Sequence, residues 1–435
     1  MYRISFIARV SIVAMLCVVF GYNSYAQTTD ALGTYTPYSL FGLGELEKPG
    51  TAVNKGMGGI GVGVRDNRVI NYLNPASITD RDTLSFMMDF GVSQKNFYST
   101  NGKADGAYNT ANMHNLVFTV PVYKKSALIA GITPFSNIGY KFRDKETDTK
   151  LLAKYGDITY EKFGTGSINQ LFFGGAMNLS PNFSVGAEMI YYFGALNRNS
   201  NVLFGTDPSI RDIATGWDYD MNAMGGRVGV QYFKEVAANT QLTVGATYRF
   251  AAELDGNYSR FASLQVNGTP VDTVVMETYD NYKVEIPSEI AFGFSLRKKD
   301  KWLIGFDYTR QDWKGTDFGK TPGVDFNPGT ASSFKVGIEF IPNRYDIRYY
   351  MKRATYRLGA YYDKSYIHIG GNQVNAAGVT FGMSLPVFRW NNSLSWSVDV
   401  GQRGSLKNGL IKEKYVQFNI NMNLHDMWFI KRKYN

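Results

Sequence analysis

Histidine is the side chain most often used for acid–base catalysis and for binding transition metals, and this sequence has three: His114, His368 and His425. No cluster of His with Cys, Asp or Glu has the spacing of a metal site. A barrel hydrolase would need a Ser–His pair on neighbouring strands, and only His114, at the beginning of a predicted strand, could act as its base. The sequence therefore predicts a protein that is not an enzyme, with no catalytic residue, metal or cofactor.

Glycine spacing suggests a second chemistry, phosphate binding. Residues 56–63 are rich in glycine and contain a loose GxGxxG, the spacing of a nucleotide-binding loop. The Lys-Ser/Thr pair of such loops is missing, and no strand–helix–strand unit surrounds the segment. Glycine at this density instead allows close packing of the backbone. We therefore expect residues 56–63 to pack inside a confined space.

The composition indicates which elements carry these side chains. Of 435 residues, 44% are hydrophobic and 15% aromatic, but only 19% are charged. After the first 20 residues, no uncharged apolar run is long enough for a membrane helix. A single cysteine excludes a disulfide-stapled module. These facts favour a sheet protein whose apolar residues are spread in alternation.

The first 26 residues read as an export signal. Arg3 and Arg9 precede an apolar run, residues 10–20, and small residues lead to cleavage after Ala26. The only cysteine, Cys17, lies within this signal. Cleavage lowers the formal net charge from +9 to +7. In an exported chain this excess favours contact with anionic lipid headgroups or lipopolysaccharide, and not with nucleic acid.

Strict alternation is the main signal in the rest of the chain. In residues 416–424, five apolar residues alternate with Gln417 and three asparagines. Fourteen such strands can be assigned between residues 84 and 424. Most joints after the even-numbered strands are short turns, with residues 342–353 as the one long exception. Most joints after the odd-numbered strands are longer: 97–113, 136–166, 197–216, 253–288, 311–331, 364–376 and 403–412. The pattern predicts an all-β, transmembrane antiparallel barrel of the outer membrane with both termini on the periplasmic, short-turn side.

Residues 27–83 do not alternate and are too short and glycine-rich to form a core alone. Inside a barrel, the wall would supply the missing packing surface. We therefore divide the chain into a signal peptide (1–26), an N-terminal hatch or plug in the lumen (27–83) and a transmembrane β-barrel (84–435).

Three motifs in order resemble the long-chain fatty acid transporters of the outer membrane, a family that includes hydrocarbon channels. The hatch pattern of that family is similar to Gly56, Gly58, Gly59 and Gly61, followed by Asn74-Pro75-Ala76. Residues 126–135 resemble its third strand, which ends in a break at Pro134-Phe135. A hairpin with Pro287 and Gly293, closed by Trp313, resembles a further family motif. Gln27 after the cleavage site fits a chain from the Bacteroidota.

The resemblance implies a fourteen-stranded barrel with a hatch, which takes up hydrophobic ligands by passive diffusion and releases them sideways through the wall. Pro134, Phe135 and Ser136 would form the wall kink that opens the lateral gate; equally, Pro134 could simply end a strand. Asn74, Pro75 and Ala76 would hold the hatch against the wall or form a structural turn. Ser136 replaces the glycine of the family, and the long loops do not match.

Two functions follow from this resemblance. The first is an outer-membrane channel for long-chain fatty acid-like compounds, whose partners are a hydrophobic small molecule or lipid. The alternative is a barrel of the same family that acts as a scaffold or shuttle subunit of an outer-membrane protein secretion or assembly complex. A general polar porin is disfavoured because a hatch would block its lumen.

Overall fold

The computed structural model describes residues 32–81, 85–123, 125–205, 210–266, 269–318, 324–387 and 392–427. The predicted signal peptide, with Cys17, lies outside these residues. Eighteen strands form one antiparallel sheet. In chain order they are β1 (Glu45–Leu46), β2 (Ser85–Thr100), β3 (Asp105–Tyr123), β4 (Ser126–Lys145), β5 (Ile158–Ser180), β6 (Phe183–Phe204), β7 (Asp212–Ala237), β8 (Thr240–Arg249), β9 (Ala252–Val266), β10 (Thr269–Ile286), β11 (Glu289–Lys298), β12 (Trp302–Asp312), β13 (Phe326–Pro328), β14 (Thr330–Phe340), β15 (Thr355–Ile369), β16 (Asn372–Pro386), β17 (Ser393–Arg403) and β18 (Lys412–Met427).

The sheet closes on itself because β18 pairs with β2 from Lys412↔Thr100 to Met427↔Ser85. β7 pairs with both β8 and β9, so these two form one interrupted wall strand. β10 and β11 form another, interrupted at Pro287. With the short β1 and β13 set aside, the barrel has fourteen wall strands, which confirms the predicted fold class and strand number.

The two faces of the wall have opposite chemistry. On β18, Phe418, Ile420 and Met422 point outward and are exposed, while Asn419 and Asn421 point inward and are buried. This is the reverse of a soluble barrel, and it fits a wall that meets lipid outside and a packed polar lumen inside. None of the described helices is long and apolar enough to span a membrane.

Five of the predicted long loops, residues 97–113, 136–166, 197–216, 253–288 and 364–376, were assigned wrongly and consist largely of strand. Here the wall strands continue beyond the alternating part; β10, for example, is exposed on both faces from Thr269 to Asn281. Without one buried face there is no period-2 signal. Val, Thr and Tyr still favour the extended backbone, so the strands continue in pairs.

The helical segments are short. Helix α1 (Ala52–Lys55) and the 3-10 turns Pro37–Leu40 and Pro75–Thr79 precede the wall; helix α2 (Thr149–Tyr155) joins β4 to β5, and 3-10 turns Tyr350–Arg353 and Lys407–Gly409 lie in later joints. Most of residues 32–80 are buried, although they contain few regular elements. Ile70, Tyr72 and Ile78 pack in one apolar cluster with side chains of the wall. The segment therefore takes its core from the barrel around it.

Candidate functional site at the opening of the wall

The wall has an opening between β3 and β4. These strands pair only from Leu116↔Ile132 to the turn at Tyr123↔Ser126. Beyond Ile132, β4 keeps its pairing with β5 as far as Lys145↔Thr159. β3 likewise keeps its pairing with β2 as far as Asp105↔Thr100. The two neighbours therefore separate over residues 105–115 and 133–145, and no direct ladder joins them there.

The predicted kink residues lie where the strands separate. The β4–β5 register shifts between Pro134 and Ser136, which marks a β-bulge. Proline has no backbone N–H, so Pro134 cannot donate to a ladder at this point. Phe135 and Ser136 are buried. The structure thus places Pro134, Phe135 and Ser136 together at the beginning of the opening.

An N-terminal segment, residues 33–47, fills this opening and will be called the gap segment. On the β4 side, the Thr36 N–H donates to Gly139 O at 2.9 Å and the Glu47 N–H to Phe135 O at 2.9 Å, and β1 pairs with β4 through Leu46↔Ser136. On the β3 side, the Tyr35 ring stacks on Tyr108 with centroids 3.5 Å apart. The gap segment therefore satisfies the free edge of β4 in place of a wall strand.

Charged side chains of the distant wall hold the gap segment. A Glu45 carboxylate oxygen lies 2.7 Å from Lys95 Nζ and 2.5 Å from Arg403 Nη2. Thr36 donates to Glu413 at 2.5 Å. With two cations in direct contact, the Glu45 carboxylate clamps the gap segment to the wall electrostatically.

The predicted glycine motif meets the wall at close range. The N–H groups of Gly61 and Val62 donate to one oxygen of Asp307, at 2.6 and 2.8 Å. Gly58 has φ +71°, and a Cβ added at Gly359 would lie only 2.1 Å from the Gly58 nitrogen. Gly56 lies against the backbone of Gly382 in the same way, and Gly59 lies over the Lys335 side chain.

Asn74, Pro75 and Ala76 lie against other wall strands. Asn74 Nδ2 donates to Val62 O at 2.9 Å within the segment and to Val230 O of β7 at 3.2 Å. Its Oδ1 accepts from the Ala76 N–H at 3.0 Å, which caps the 3-10 turn beginning at Pro75. The Pro75 backbone is so close to Gly186 that an added Cβ would lie 2.6 Å from it. The triplet is both a turn and a wall contact.

A buried ion network joins Asp66 and Arg68, which follow the glycine-rich segment, to the wall strands β11, β14 and β15. Arg68 lies 2.5 Å from an Asp66 oxygen and 2.7 Å from Glu339. Arg357 lies 2.8 Å from the other oxygen of Glu339, and Arg297 lies 3.0 Å from Asp66. Burial opposes ionisation of Asp66, but the Arg297 and Arg68 cations hold its pKa well below the usual range. Each carboxylate therefore has at least two arginine partners, and the network has three cations to two anions.

We expect Gly359→Ala to displace the glycine-rich segment, because the new methyl group would overlap backbone and not a flexible side chain. Overpacking of this kind costs about 1–3 kcal/mol. The measurement is limited trypsin digestion in detergent, with faster cleavage expected at the buried Lys55 and Arg65. Gly226→Ala is the control, because the atom nearest to its added Cβ would be Glu188 O at 3.3 Å, compared with 2.1 Å for Gly359. Equal digestion of both variants would contradict the expectation.

The three residues of the predicted hairpin motif, Pro287, Gly293 and Trp313, do not form one site. Pro287 breaks the wall strand between β10 and β11. Gly293 lies beside Gly63, where an added Cβ would lie 2.8 Å from the Gly63 nitrogen. Trp313 is fully buried, stacks on Tyr366 with centroids 4.7 Å apart and donates to Gln311 Oε1 at 2.9 Å. Of the three, only Gly293 contacts the glycine-rich segment directly.

Two cavities adjoin the gap segment. The inner one, of about 240 Å³, touches Pro134 and Phe135 and is lined by charged groups that include Glu45, Arg249 and Lys335. The outer one, of about 820 Å³, is lined by Leu40, Gly42 and Leu43 of the gap segment. Its volume is that of a cavity for a drug-sized ligand.

The outer cavity combines aromatic walls with cations. Among its lining residues are Trp217, Tyr258 and Phe261. Arg198 lies over the Trp217 ring at 4.7 Å and donates to Gly42 O at 2.6 Å, while its buried Nε has no partner among the described residues. Such a cavity can hold an apolar chain and still offer a donor to an acidic headgroup.

Sequence reasoning missed the residues that line this outer cavity and those that clamp the gap segment. Glu45 and Arg403 are separated by most of the chain, so no local pattern connects them. Arg198 and Trp217 lie in residues assigned to a loop or to the beginning of a strand. The described residues contain no group of three His, Cys, Asp or Glu able to hold a metal.

Comparison with known proteins gives three findings. Residues 7–435 match the model of the BamG family. The fold is shared with the toluene transporter TbuX of Ralstonia pickettii, with a TM-score of 0.55 and 17% identity over 86% of this chain and 98% of that one. It is also shared with the CymD monoaromatic hydrocarbon channel, with a TM-score of 0.56 and 16% identity over 86% of this chain and 96% of that one. A FadL homologue of Pseudomonas aeruginosa has the same fold, with a TM-score of 0.54 and 13% identity over 88% of this chain and 99% of that one. No curated protein matches in sequence. The predicted resemblance is thus confirmed for the fold.

Proposed function

This chain belongs to the BamG family, and because it shares the fold of hydrocarbon channels and has a wall opening beside a ligand-sized cavity, we propose that it is an outer-membrane channel for passive uptake of hydrophobic compounds. The separation of β4 from β3 beyond Ile132 is the observation that carries this proposal. A sealed fourteen-stranded wall would offer no way out except along the lumen, which residues 32–80 occupy.

A sideways route suits an apolar cargo. Transfer of apolar surface out of water gains about 25 cal/mol per Å², so a ligand that passes from the outer cavity into lipid never has to be hydrated again. The gap segment is the only part of the described chain that lies between β3 and β4. We propose that the ligand binds in the outer cavity, and that displacement of the gap segment beside Pro134 releases the ligand into the bilayer.

The cargo class we propose is a fatty acid-like amphiphile. Trp217, Tyr258 and Phe261 would contact the apolar chain, and the Arg198 guanidinium, which lines the same cavity, would contact the carboxylate. The hatch role of residues 27–83, including Asn74-Pro75-Ala76, and the gate role of Pro134, Phe135 and Ser136 belong to the same proposal. So do a periplasmic position for both termini and an outer surface in contact with lipid and lipopolysaccharide.

Mass spectrometry of lipids extracted from the purified protein tests the proposal. Fatty acid or another apolar molecule should co-purify, and added long-chain fatty acid should be retained after gel filtration. Recovery of no apolar molecule, including after incubation with added ligands, would count against uptake.

We expect Arg198→Gln to weaken binding of a long-chain fatty acid by about tenfold or more, because a hydrogen bond to a charged group contributes about 1.5–3 kcal/mol. Binding of the alkane with the same chain length should change little. Isothermal titration in detergent measures both affinities. Arg143→Gln is the control, because Arg143 lies 2.9 Å from Glu161 and does not line the cavity. An equal loss for acid and alkane would assign Arg198 a structural role only.

One observation favours a second function, a scaffold or shuttle subunit of an outer-membrane protein secretion or assembly complex. Strand β10 exposes Val271, Val274 and Met276, and among the described residues it pairs only with β9. An exposed apolar edge can add a strand from another protein. Purification in mild detergent should then yield a partner protein in stoichiometric amount. The partner should be lost from the Val274→Asp/Met276→Asp protein and should still co-purify with the control variant Thr273→Asp.

A further inference from the structure

The joint between β14 and β15 differs from the other connections at its end of the barrel. Residues 341–354 separate these strands, whereas only two residues separate β5 from β6 and three separate β11 from β12. Because short turns mark the periplasmic end of such barrels, the joint lies at the periplasmic rim under the orientation proposed above. We call residues 342–353 the rim loop.

The rim loop exposes large apolar side chains. Ile347 is 97% exposed and Tyr345 73%, and Tyr349 and Met351 are at least half exposed. A connection in water would normally carry polar residues here, so a cluster of this kind marks a surface that is covered in the native setting.

The backbone of the rim loop is ordered by its own contacts. Asp346 Oδ1 accepts from the N–H groups of Arg348 and Tyr349, at 2.9 and 2.7 Å. Arg344 Nη1 and the Tyr345 hydroxyl both donate to Asp300 of the neighbouring turn, at 3.0 Å each. The backbone that carries the apolar side chains is therefore fixed before anything binds, which reduces the entropy lost on binding.

Two contacts place the loop on the lipid side of the wall. Tyr356 alternates with the buried, inward-pointing Arg357 and so shares the outward face with the exposed Leu358. The Tyr356 hydroxyl donates to Met351 O at 3.1 Å. The Tyr350 hydroxyl donates to Pro386 O, at the end of β16, at 2.7 Å. The second half of the rim loop thus leans against the outside of the barrel, at the level where the wall ends.

The charge of the rim loop is strongly positive. Its sequence contains four cations, Arg344, Arg348, Lys352 and Arg353, and one acid, Asp346. Lys352 lies 4.5 Å from the Tyr349 ring centre and Arg353 4.9 Å from that of Tyr350. Tyrosines and apolar side chains with cations above them are the composition of a segment that lies in a membrane interface.

From this position, composition and charge we propose that the rim loop is an interfacial anchor that binds anionic phospholipid headgroups in the periplasmic leaflet. Ile347, Tyr349 and Met351 enter the boundary between headgroups and acyl chains, and Arg348, Lys352 and Arg353 contact phosphate. An acidic periplasmic protein would satisfy the charge but would not require the loop to fold against the lipid-facing side of the wall. The proposal assigns the loop a role separate from ligand uptake.

The first test measures lipid binding by native mass spectrometry in detergent, with phosphatidylglycerol and phosphatidylcholine as probes. The wild-type protein should retain phosphatidylglycerol preferentially. Arg348→Glu/Lys352→Glu should lower that retention by at least about tenfold, since each cation near an anionic surface contributes roughly a fivefold change. Lys150→Glu/Lys154→Glu on helix α2, exposed at the opposite end, is the matched control and should retain it. Equal retention by both double variants would overturn the proposal.

The second test locates the loop directly in phosphatidylglycerol vesicles. The sequence has one cysteine, Cys17, so Ile347→Cys in a Cys17→Ser chain can carry a single environment-sensitive fluorophore. We expect blue-shifted emission that is quenched by brominated lipid, whereas Lys299→Cys on the adjacent turn should report water. If the fluorophore at residue 347 emitted as it does in water and were quenched by iodide, the proposal would be overturned. If neither iodide nor brominated lipid quenched it, and only when another protein co-purifies, the loop would instead bind a protein partner. The Arg348→Glu/Lys352→Glu protein should take up ligand at the normal rate. The anchor proposal and the uptake proposal can therefore fail independently.

Discussion

A Leu46→Cys/Ser136→Cys protein should lose uptake when it is oxidised and regain it when it is reduced. Leu46 and Ser136 are direct partners in the β1–β4 ladder, and antiparallel partners lie about 4.5–5.5 Å apart between Cα atoms, within the range of a disulfide. Ser136 is buried and its hydroxyl has no hydrogen-bond partner among the described residues, so cysteine should fit there. The disulfide would tie the gap segment to β4 and hold the opening shut.

Uptake of a fluorescent long-chain fatty acid into cells, measured with and without reductant, gives the result. We expect the oxidised rate to fall by about tenfold or more, which corresponds to a barrier raised by about 1.4 kcal/mol or more. Ser397→Cys/Asn419→Cys joins two wall strands away from the opening, at a register pair, and should leave uptake unchanged. If the oxidised Leu46→Cys/Ser136→Cys protein took up ligand at the normal rate, the ligand would not leave through this opening.

The second large effect concerns the buried ion network. Glu339→Ala should destabilise the barrel by about 3–5 kcal/mol, because removing one partner of a buried ion pair leaves the other charges uncompensated. Arg357 would lose both of its contacts to Glu339, and Arg68 would keep only Asp66. Thermal unfolding in detergent, followed by the shift of the folded barrel on unboiled gels, measures the loss.

Glu253→Ala is the matched control for that variant. Glu253 pairs with Lys283 at 3.0 Å, but both side chains are about half exposed, and pairs of this kind contribute at most about 1 kcal/mol. A Glu339→Ala protein as stable as Glu253→Ala would mean that water or a rearranged Arg68 replaces the lost carboxylate. The glycine-rich segment should also become more accessible to trypsin in Glu339→Ala, since Arg68 connects it to β14.

The membrane-spanning part of the fold could be predicted from the sequence, because one face of each strand meets lipid. Val416 to Leu424 alternate strictly, and the structure pairs them in that register with β17 and β2. Where the strands extend beyond the membrane, as in β9 and β10, both faces are wet and the alternation stops. The strand signal stops with it, and these residues appear as loops.

The candidate site was predictable only where backbone geometry leaves a local mark. Pro134 and the glycines at 56–61 mark a shifted ladder and a close approach of two backbones, while their roles in a gate and a hatch stay predictions. The Glu45–Arg403 and Arg68–Glu339 pairs leave no such mark, since a charged residue on an inner face looks the same with or without a partner. Trp313 shows the opposite case: the resemblance placed it at the end of a hairpin, but nothing local in the sequence indicated that it would be fully buried against Tyr366.

The closing seam between β2 and β18 determines how this chain can be assembled. Ser85 and Met427 meet there, so the last native pairing joins the two extremes of the barrel sequence and has the largest contact order in the wall. This pairing therefore has the largest loop-closure cost in the wall. Until it forms, the edges of β2 and β18 are open to aggregation. A nascent barrel of this design therefore depends on protection of its seam edges during insertion, and a truncation before Lys412 should leave an aggregating chain and not a smaller barrel.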